Sequence, residues 1–122
     1  MSTDRQLTVR ERRELRVALL ADLTRAEELS VTLGRDLQEM VTASEGSNSD
    51  DEHDPEGMST AFEKAQLIGL LRQSDQEQAA LRLALDRLEE PGFGLCEHCA
   101  EFIGVDRLLA LPAATRCITC AL

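Results

Sequence analysis

The sequence predicts a mostly α chain: a long antiparallel coiled-coil helical hairpin followed by a small C-terminal four-cysteine zinc finger. Three observations predict it. Apolar residues recur at spacings of three and four over two long stretches. A polar, acid-rich segment with several turn formers separates those stretches. The final 32 residues carry two Cys-x2-Cys pairs. Composition agrees, since 43% of the 122 residues are hydrophobic but only 2% are aromatic. Aliphatic stripes on helices need no rings, whereas thick globular cores draw heavily on them.

The first helix is expected over about residues 8–43. Thr8 and Glu11 form a capping box, Thr-x-x-Glu, at its start. Leu15, Leu19, Leu23, Ala26, Leu29, Leu33, Leu37 and Met40 then share one face, with Arg and Glu elsewhere. No proline interrupts the stretch, and Gly34 costs about 1 kcal/mol relative to Ala. At ~1.5 Å per residue such a helix runs roughly 50 Å. Val17, Leu20 and Val31 lie off the stripe and are left for a partner helix edge, another protein or a second copy.

Residues 44–59 read as the loop at the tip of the hairpin. The chain has a formal net charge of −10, and residues 44–61 hold six acids and no base. The flanks are closer to balance, with eight acids and seven bases over 1–43, six and four over 62–90, and three and two over 91–122.

The second helix is expected over about residues 60–90. Thr60 and Glu63 form another capping box, and Asp54-Pro55-Glu56 is an alternative start, with Asp at the N-cap and Pro at the first helical position. Leu67, Leu70, Leu81, Leu85 and Leu88 share a face with Ala84, and Ser74 and Glu77 interrupt it. Pro91-Gly92 ends the helix. Two helices of this length joined by one loop pack antiparallel, because neither buries its stripe alone. A three-helix bundle is the alternative, and no third stretch of comparable length remains for it. The domains are then 1–91, the hairpin, and 92–122, the finger.

The cysteines fall as Cys96-x2-Cys99-x17-Cys117-x2-Cys120. Each Cys-x2-Cys pair presents two sulfurs to one tetrahedral ion, so this spacing fits a four-Cys zinc site. A disulfide pair or redox dithiols are the alternative use of the same residues. Four thiolates leave no open ligand position, so the zinc is expected to be structural. His98 stands inside the first pair and is read as a solvated neighbour.

Several function classes are disfavoured. An acidic chain whose finger has only Arg107 and Arg116 as bases is a poor partner for phosphates, so no direct specific DNA binding is expected. No apolar run approaches the ~20 residues a bilayer span needs. Val17–Ala21 is too short for a signal-peptide apolar region, so the reading is cytoplasmic. An enzyme is not expected: His53 and His98 are the only histidines, and no nucleophile–base pair or phosphate-cradling glycine loop is visible. The Asp50–Glu56 stretch also lacks the EF-hand pattern.

The run Gly94-Leu95-Cys96-Glu97-His98-Cys99, followed by Ile103, Arg107-Leu108, Pro112 and Cys117-Ile118-Thr119-Cys120, resembles the zinc finger of the DksA/TraR family. The order of helices, acidic tip and finger resembles that family's layout over roughly residues 8–120. The tip looks like that of the DksA-like proteins of actinobacteria. The resemblance implies a regulator that binds RNA polymerase and inserts the hairpin into the secondary channel, where acidic tip residues near the catalytic centre modulate initiation. An acid-only tip suits a positively lined or Mg²⁺-containing cavity.

The family tip is Asp-x-x-Asp-x-Ala. Asp51 and Asp54 match its two acids, Glu56 stands in place of Ala, and Asp50 adds charge. The resemblance implies that these residues carry the regulatory effect; the competing reading is a solvated turn with Asp54 capping the second helix. The finger is implied to brace the hairpin base, with Arg107 as a contact to the polymerase. Members that respond to the alarmone ppGpp carry an Arg before the finger's Pro and a Lys after its last Cys. Here those positions are Leu111 and Ala121. An oligophosphate needs cations, so ppGpp synergy is expected to be weak or absent. Two other functions stay open: a zinc-stapled coiled-coil adaptor for another partner, and a redox- or zinc-responsive sensor.

Overall fold

The computed structural model describes the backbone of residues 6–46 and 55–122 and the side chains of residues 6–43 and 58–122. The elements in order are α1 (Val9–Gly46), α2 (Pro55–Arg87) and α3 (Val105–Ala110). The chain is mostly α, with two long helices packed antiparallel and a short four-cysteine segment after them. Among the described residues the only β pairing is one isolated bridge, Leu95 with Phe102.

The capping box opens α1 as its sequence demands. Thr8 N–H donates to Glu11 Oε1 at 2.9 Å, and Glu11 N–H donates to Thr8 Oγ1 at 3.0 Å. Two of the orphan N–H groups at the helix start are thereby satisfied. At its other end α1 continues to Gly46, three residues beyond the expected limit.

α2 begins at Pro55, so the alternative start is the one used, and Thr60 lies inside the helix. Proline fits the first helical position because the missing N–H has no intrahelical partner there. Asp54, its expected N-cap, lies outside the described residues. α2 ends at Arg87, three residues before the expected 90. The chain tightens there into i→i+3 turns, with Glu90 N–H donating to Arg87 O at 2.9 Å and Phe93 N–H to Glu90 O at 3.0 Å. Pro91 forces this, since it disfavours helical backbone at the residue before it and supplies no donor. Arg12 of α1 caps this end by donating to the carbonyl oxygens of Leu88 and Glu90.

The chain divides into two compact units, Met1–Thr24 with Ala79–Leu122, and Arg25–Gln78. In the first, Leu15, Leu19, Leu81, Leu88 and Leu108 are fully buried, joined by Leu7, Ala84, Cys96 and Ile103. Leu7, one residue before the capping box, belongs to this core although it precedes the periodic stripe. Arg16 pairs with Glu89 on its surface.

In the second unit, Ala26 and Leu33 are the buried apolar residues, and Ser74 and Gln78 are buried beside them. Ser74 Oγ donates to Ala26 O at 3.0 Å and lies 2.8 Å from Ser30 Oγ, while Gln78 Nε2 donates to Ser30 Oγ at 2.8 Å. As α1 rises from 26 to 30, α2 falls from 78 to 74, which is antiparallel register. The sequence places a polar break in this seam at Ser74 and Glu77. Ser74 is there, but Glu77 is exposed and Gln78 is its buried companion. Leu29 and Leu70 are similarly displaced, at 49% and 44% exposure. The seam takes Ser30 and Leu71 instead, because spacings of three and four alternate along α2 through Leu67, Leu71, Ser74, Gln78 and Leu81. Val17, Leu20 and Val31 are exposed, as expected of residues off the stripe.

Candidate functional site

The finger is assembled from two matching turns. Ala100 N–H donates to Cys96 O and Ala121 N–H donates to Cys117 O, each at 2.9 Å. Each turn sets the two sulfurs of one Cys-x2-Cys pair side by side. Cys96 N–H donates to Glu101 O at 2.7 Å and Ile103 N–H to Gly94 O at 2.8 Å, closing the first pair into a small ribbon. Glu97 N–H donates to Thr115 O at 2.8 Å and so ties the first arm to the second.

Gly94 is required by this geometry. Its φ is +97°, and a Cβ there would lie 3.3 Å from Phe102 Cε2 and 3.6 Å from Leu108 Cδ1. Gly104, φ +107°, performs the turn into α3. Ala100 also has positive φ, 65°, directly after Cys99. Nothing in the side-chain pattern signals that position.

The four sulfurs of Cys96, Cys99, Cys117 and Cys120 all lie within 4.8 Å of one another. None is disulfide-bonded, and Cys99 Sγ is 3.7 Å from Cys117 Sγ. A tetrahedral ion with ~2.3 Å bonds to sulfur requires sulfur separations of about 3.8 Å. The cluster therefore fits one zinc ion, and a donor set of four thiolates makes that zinc structural.

Burial pushes Cys96 up, but hydrogen bonds from the backbones of Cys117, Cys99 and His98 outweigh it and hold the thiol down at about 6. Cys117 is lowered by the Cys120 backbone above all. Cys120 is pushed up to about 12 by its hydrogen bond with Cys117 and by burial. Cys99 is raised: its Glu101 backbone bond lowers it, but burial and the Cys96 and Cys117 thiols prevail. Two thiols fall because backbone N–H donors favour their thiolates, and two rise because burial and the neighbouring thiols favour the protonated form.

Outside the cluster, Arg107 Nε donates to Arg116 O at 3.1 Å, and Arg116 Nε donates to Glu97 Oε1 at 3.1 Å. This chain runs from α3 to the residue before Cys117 and on to the residue after Cys96. Arg107 is thus a brace within the finger. The His98 side chain is exposed and is not among the four clustered ligands. Leu111 is exposed, with its N–H donating to Arg107 O at the end of α3. Ala121 is exposed as well.

Asp50, Asp51 and Asp54, with His53, lie outside the described residues. Glu56 lies in the first turn of α2, and its side chain is outside them too. No helix of the described residues is long and apolar enough to cross a membrane.

Fold and site define a class: an antiparallel pair of long helices joined to a four-cysteine zinc finger. Comparison with known proteins narrows it. Residues 91–122 match the prokaryotic dksA/traR C4-type zinc finger. The chain is 33% identical over 69 residues to a protein of Escherichia coli K12 named RNA polymerase-binding transcription factor DksA, covering 54% of this chain and 46% of that protein. The same-named protein of Haemophilus influenzae is 37% identical over 70 residues, 55% of this chain and 47% of that one. The chain thus spans about half the length of the curated relatives it matches. Transcription factor DksA2 of Pseudomonas aeruginosa superposes with a TM-score of 0.64 at 24% identity, over 88% of this chain and 80% of that one, and so shares the fold. Over residues 91–122 the chain is thus similar to the C4-type zinc fingers of the dksA/traR family.

Proposed function

We propose that this protein is a cytoplasmic transcription regulator that binds RNA polymerase, inserts the acidic segment between α1 and α2 into the secondary channel, and thereby modulates initiation. The observation that carries the proposal is a combination: an acid-only segment between two antiparallel helices, on a chain whose finger is of the type found in RNA polymerase-binding relatives. The charge argument runs the same way, because residues 44–61, with six acids and no base, suit a cationic cavity and repel DNA phosphates.

In this reading residues 1–91 present the acids and residues 92–122 stabilise their base. Asp51 and Asp54 carry the regulatory effect, with Asp50 and Glu56 adding to the local field. Arg107 uses one donor within the finger, and its remaining guanidinium donors contact the polymerase. Leu111 and Ala121 supply no cation, so ppGpp adds little to the effect.

The test is co-elution of the zinc-loaded protein with purified core RNA polymerase, wild type beside Asp51→Asn/Asp54→Asn, followed by transcription from a set of promoters. The expected result is that both proteins bind and only wild type alters promoter output. Absence of binding by wild type rejects the polymerase reading. Equal promoter effects from both proteins reject the role of the two aspartates.

A further inference from the structure

Between the end of α1 and the start of α2, within the unit Arg25–Gln78, lies an open groove of about 500 Å³. Met40 and Leu67 form its half-buried floor, and Leu70 extends that floor to the surface at 44% exposure. Asp36 and Glu39 on one helix and Glu63 on the other form an exposed rim. No lysine or arginine is among the lining residues. The positions repeat at three- and four-residue intervals on both helices, so two parallel stripes face the same trough.

The lining chemistry selects its occupant. A phosphate-bearing ligand is repelled by three carboxylates. A purely apolar segment covers the floor but strips water from the rim carboxylates without replacing it, which is unfavourable. A polypeptide segment with aliphatic side chains on one face and arginine or lysine at its flanks satisfies both: the aliphatic residues cover Met40, Leu67 and Leu70, and the cations meet the rim. This is the helix-in-groove mode of recognition with charge complementarity added.

We propose that this groove docks a basic amphipathic segment of the partner protein. The inference rests on the polymerase reading and deepens it: the shaft of the helices, as well as the acidic segment beyond it, makes a specific contact with the enzyme.

The experiment measures binding of the zinc-loaded full chain to core RNA polymerase for wild type, Glu39→Lys/Glu63→Lys and Leu70→Ser, with Glu28→Lys/Asp75→Lys as a charge-matched control away from the groove. All substituted side chains are exposed, and helix content and zinc stoichiometry verify the fold. The expected result is about tenfold weaker binding for the groove reversal, a smaller loss for Leu70→Ser, and little change for the control. Equal losses in the groove reversal and the control mean diffuse charge attraction and overturn the proposal. So does unchanged binding in both groove variants.

Failure of the polymerase reading is distinguishable. If wild type does not bind polymerase, a synthetic amphipathic peptide with arginines flanking leucines at helical spacing decides the groove alone. Shift perturbations at Met40, Leu67 and Leu70 uphold it, and their absence rejects it. Sedimentation supplies the remaining arm: a self-associated form of the chain that Glu39→Lys/Glu63→Lys dissociates makes a second copy the occupant and overturns the proposal.

Discussion

The unit formed by Met1–Thr24 and Ala79–Leu122 contains nine of the eleven buried apolar residues among those described, including all five that are fully buried. The unit Arg25–Gln78 contains the other two, Ala26 and Leu33, and both buried polar residues, Ser74 and Gln78. One is held by aliphatic packing around a metal-fixed finger. The other relies on a hydrogen-bonded layer and a half-buried seam that ends in an open groove. The difference teaches where each kind of energy is placed. Apolar burial and metal binding give stability without offering a surface, whereas a thin polar seam specifies register and leaves apolar side chains partly exposed.

Zinc removal breaks the comparison most severely. Structural zinc contributes about 10–16 kcal/mol of apparent binding energy in small finger peptides. Chelation, or Cys117→Ser, is therefore expected to unfold residues 92–122 and expose Ile103 and Leu108, while most helical signal survives. Circular dichroism beside amide exchange reads both. Acid acts in the same direction. Cys120, pushed up to about 12, holds its proton at neutral pH until zinc displaces it. Zinc loading should thus release protons, and affinity should fall as pH falls, most steeply once Cys96 protonates below about 6. A zinc affinity that rises on acidification contradicts this assignment.

The aliphatic core comes next. Leu81→Ala empties a fully buried site in the first unit and is expected to cost about 3 kcal/mol. Leu70→Ala, at an exposed position of the second unit, should cost under about 0.5 kcal/mol. Urea denaturation of the zinc-loaded protein measures both. Comparable losses would remove the contrast between the units.

How much of this was legible follows from what kind of signal each feature leaves. The four-cysteine site stood out because its ligands are chemically distinctive and its spacing is set by the ion. The capping box at Thr8 and Glu11 was legible because it is a local hydrogen-bond exchange. The seam of α2 was read only in part. Leu70 and Glu77 each stand one residue from a true seam position, and periodicity over a long helix tolerates such a slip until the partner helix selects the face. The start of α2 was ambiguous because two valid N-terminal signals, at Asp54-Pro55 and at Thr60, compete, and local chemistry does not rank them. Leu7 and the brace from Arg107 through Arg116 to Glu97 were invisible, since both depend on residues brought together from distant parts of the chain.

The polar layer sharpens the comparison at a smaller scale. Gln78→Ala removes the donor to Ser30 and is expected to cost about 1 kcal/mol. Replacing the layer together, as Ser30→Ala/Ser74→Leu/Gln78→Leu, removes hydroxyl and amide groups that would otherwise need partners. That variant should be neutral or more stable in thermal melts. A large loss in the triple variant would mean that the layer supplies net stability, and the two units would then differ less than their composition suggests.

The smallest effect lies in the finger and has the opposite sign. Ala100 sits at φ 65° because the turn after Cys99 must direct Glu101 O toward Cys96 N–H. Left-handed backbone costs an L residue with a Cβ about 1–2 kcal/mol. Glycine relieves that strain but gives up more unfolded-chain entropy, about 0.5–1 kcal/mol. The balance favours Ala100→Gly by a fraction of a kilocalorie per mole to about 1 kcal/mol. Gly94→Ala must go the other way, since its φ of +97° is combined with a contact of 3.3 Å to Phe102. Measured together in zinc-loaded thermal unfolding, the pair separates backbone strain from side-chain packing. If Ala100→Gly destabilises the finger, the Ala100 methyl group is held by contacts worth more than the strain, and the first knuckle is tighter than its backbone alone implies.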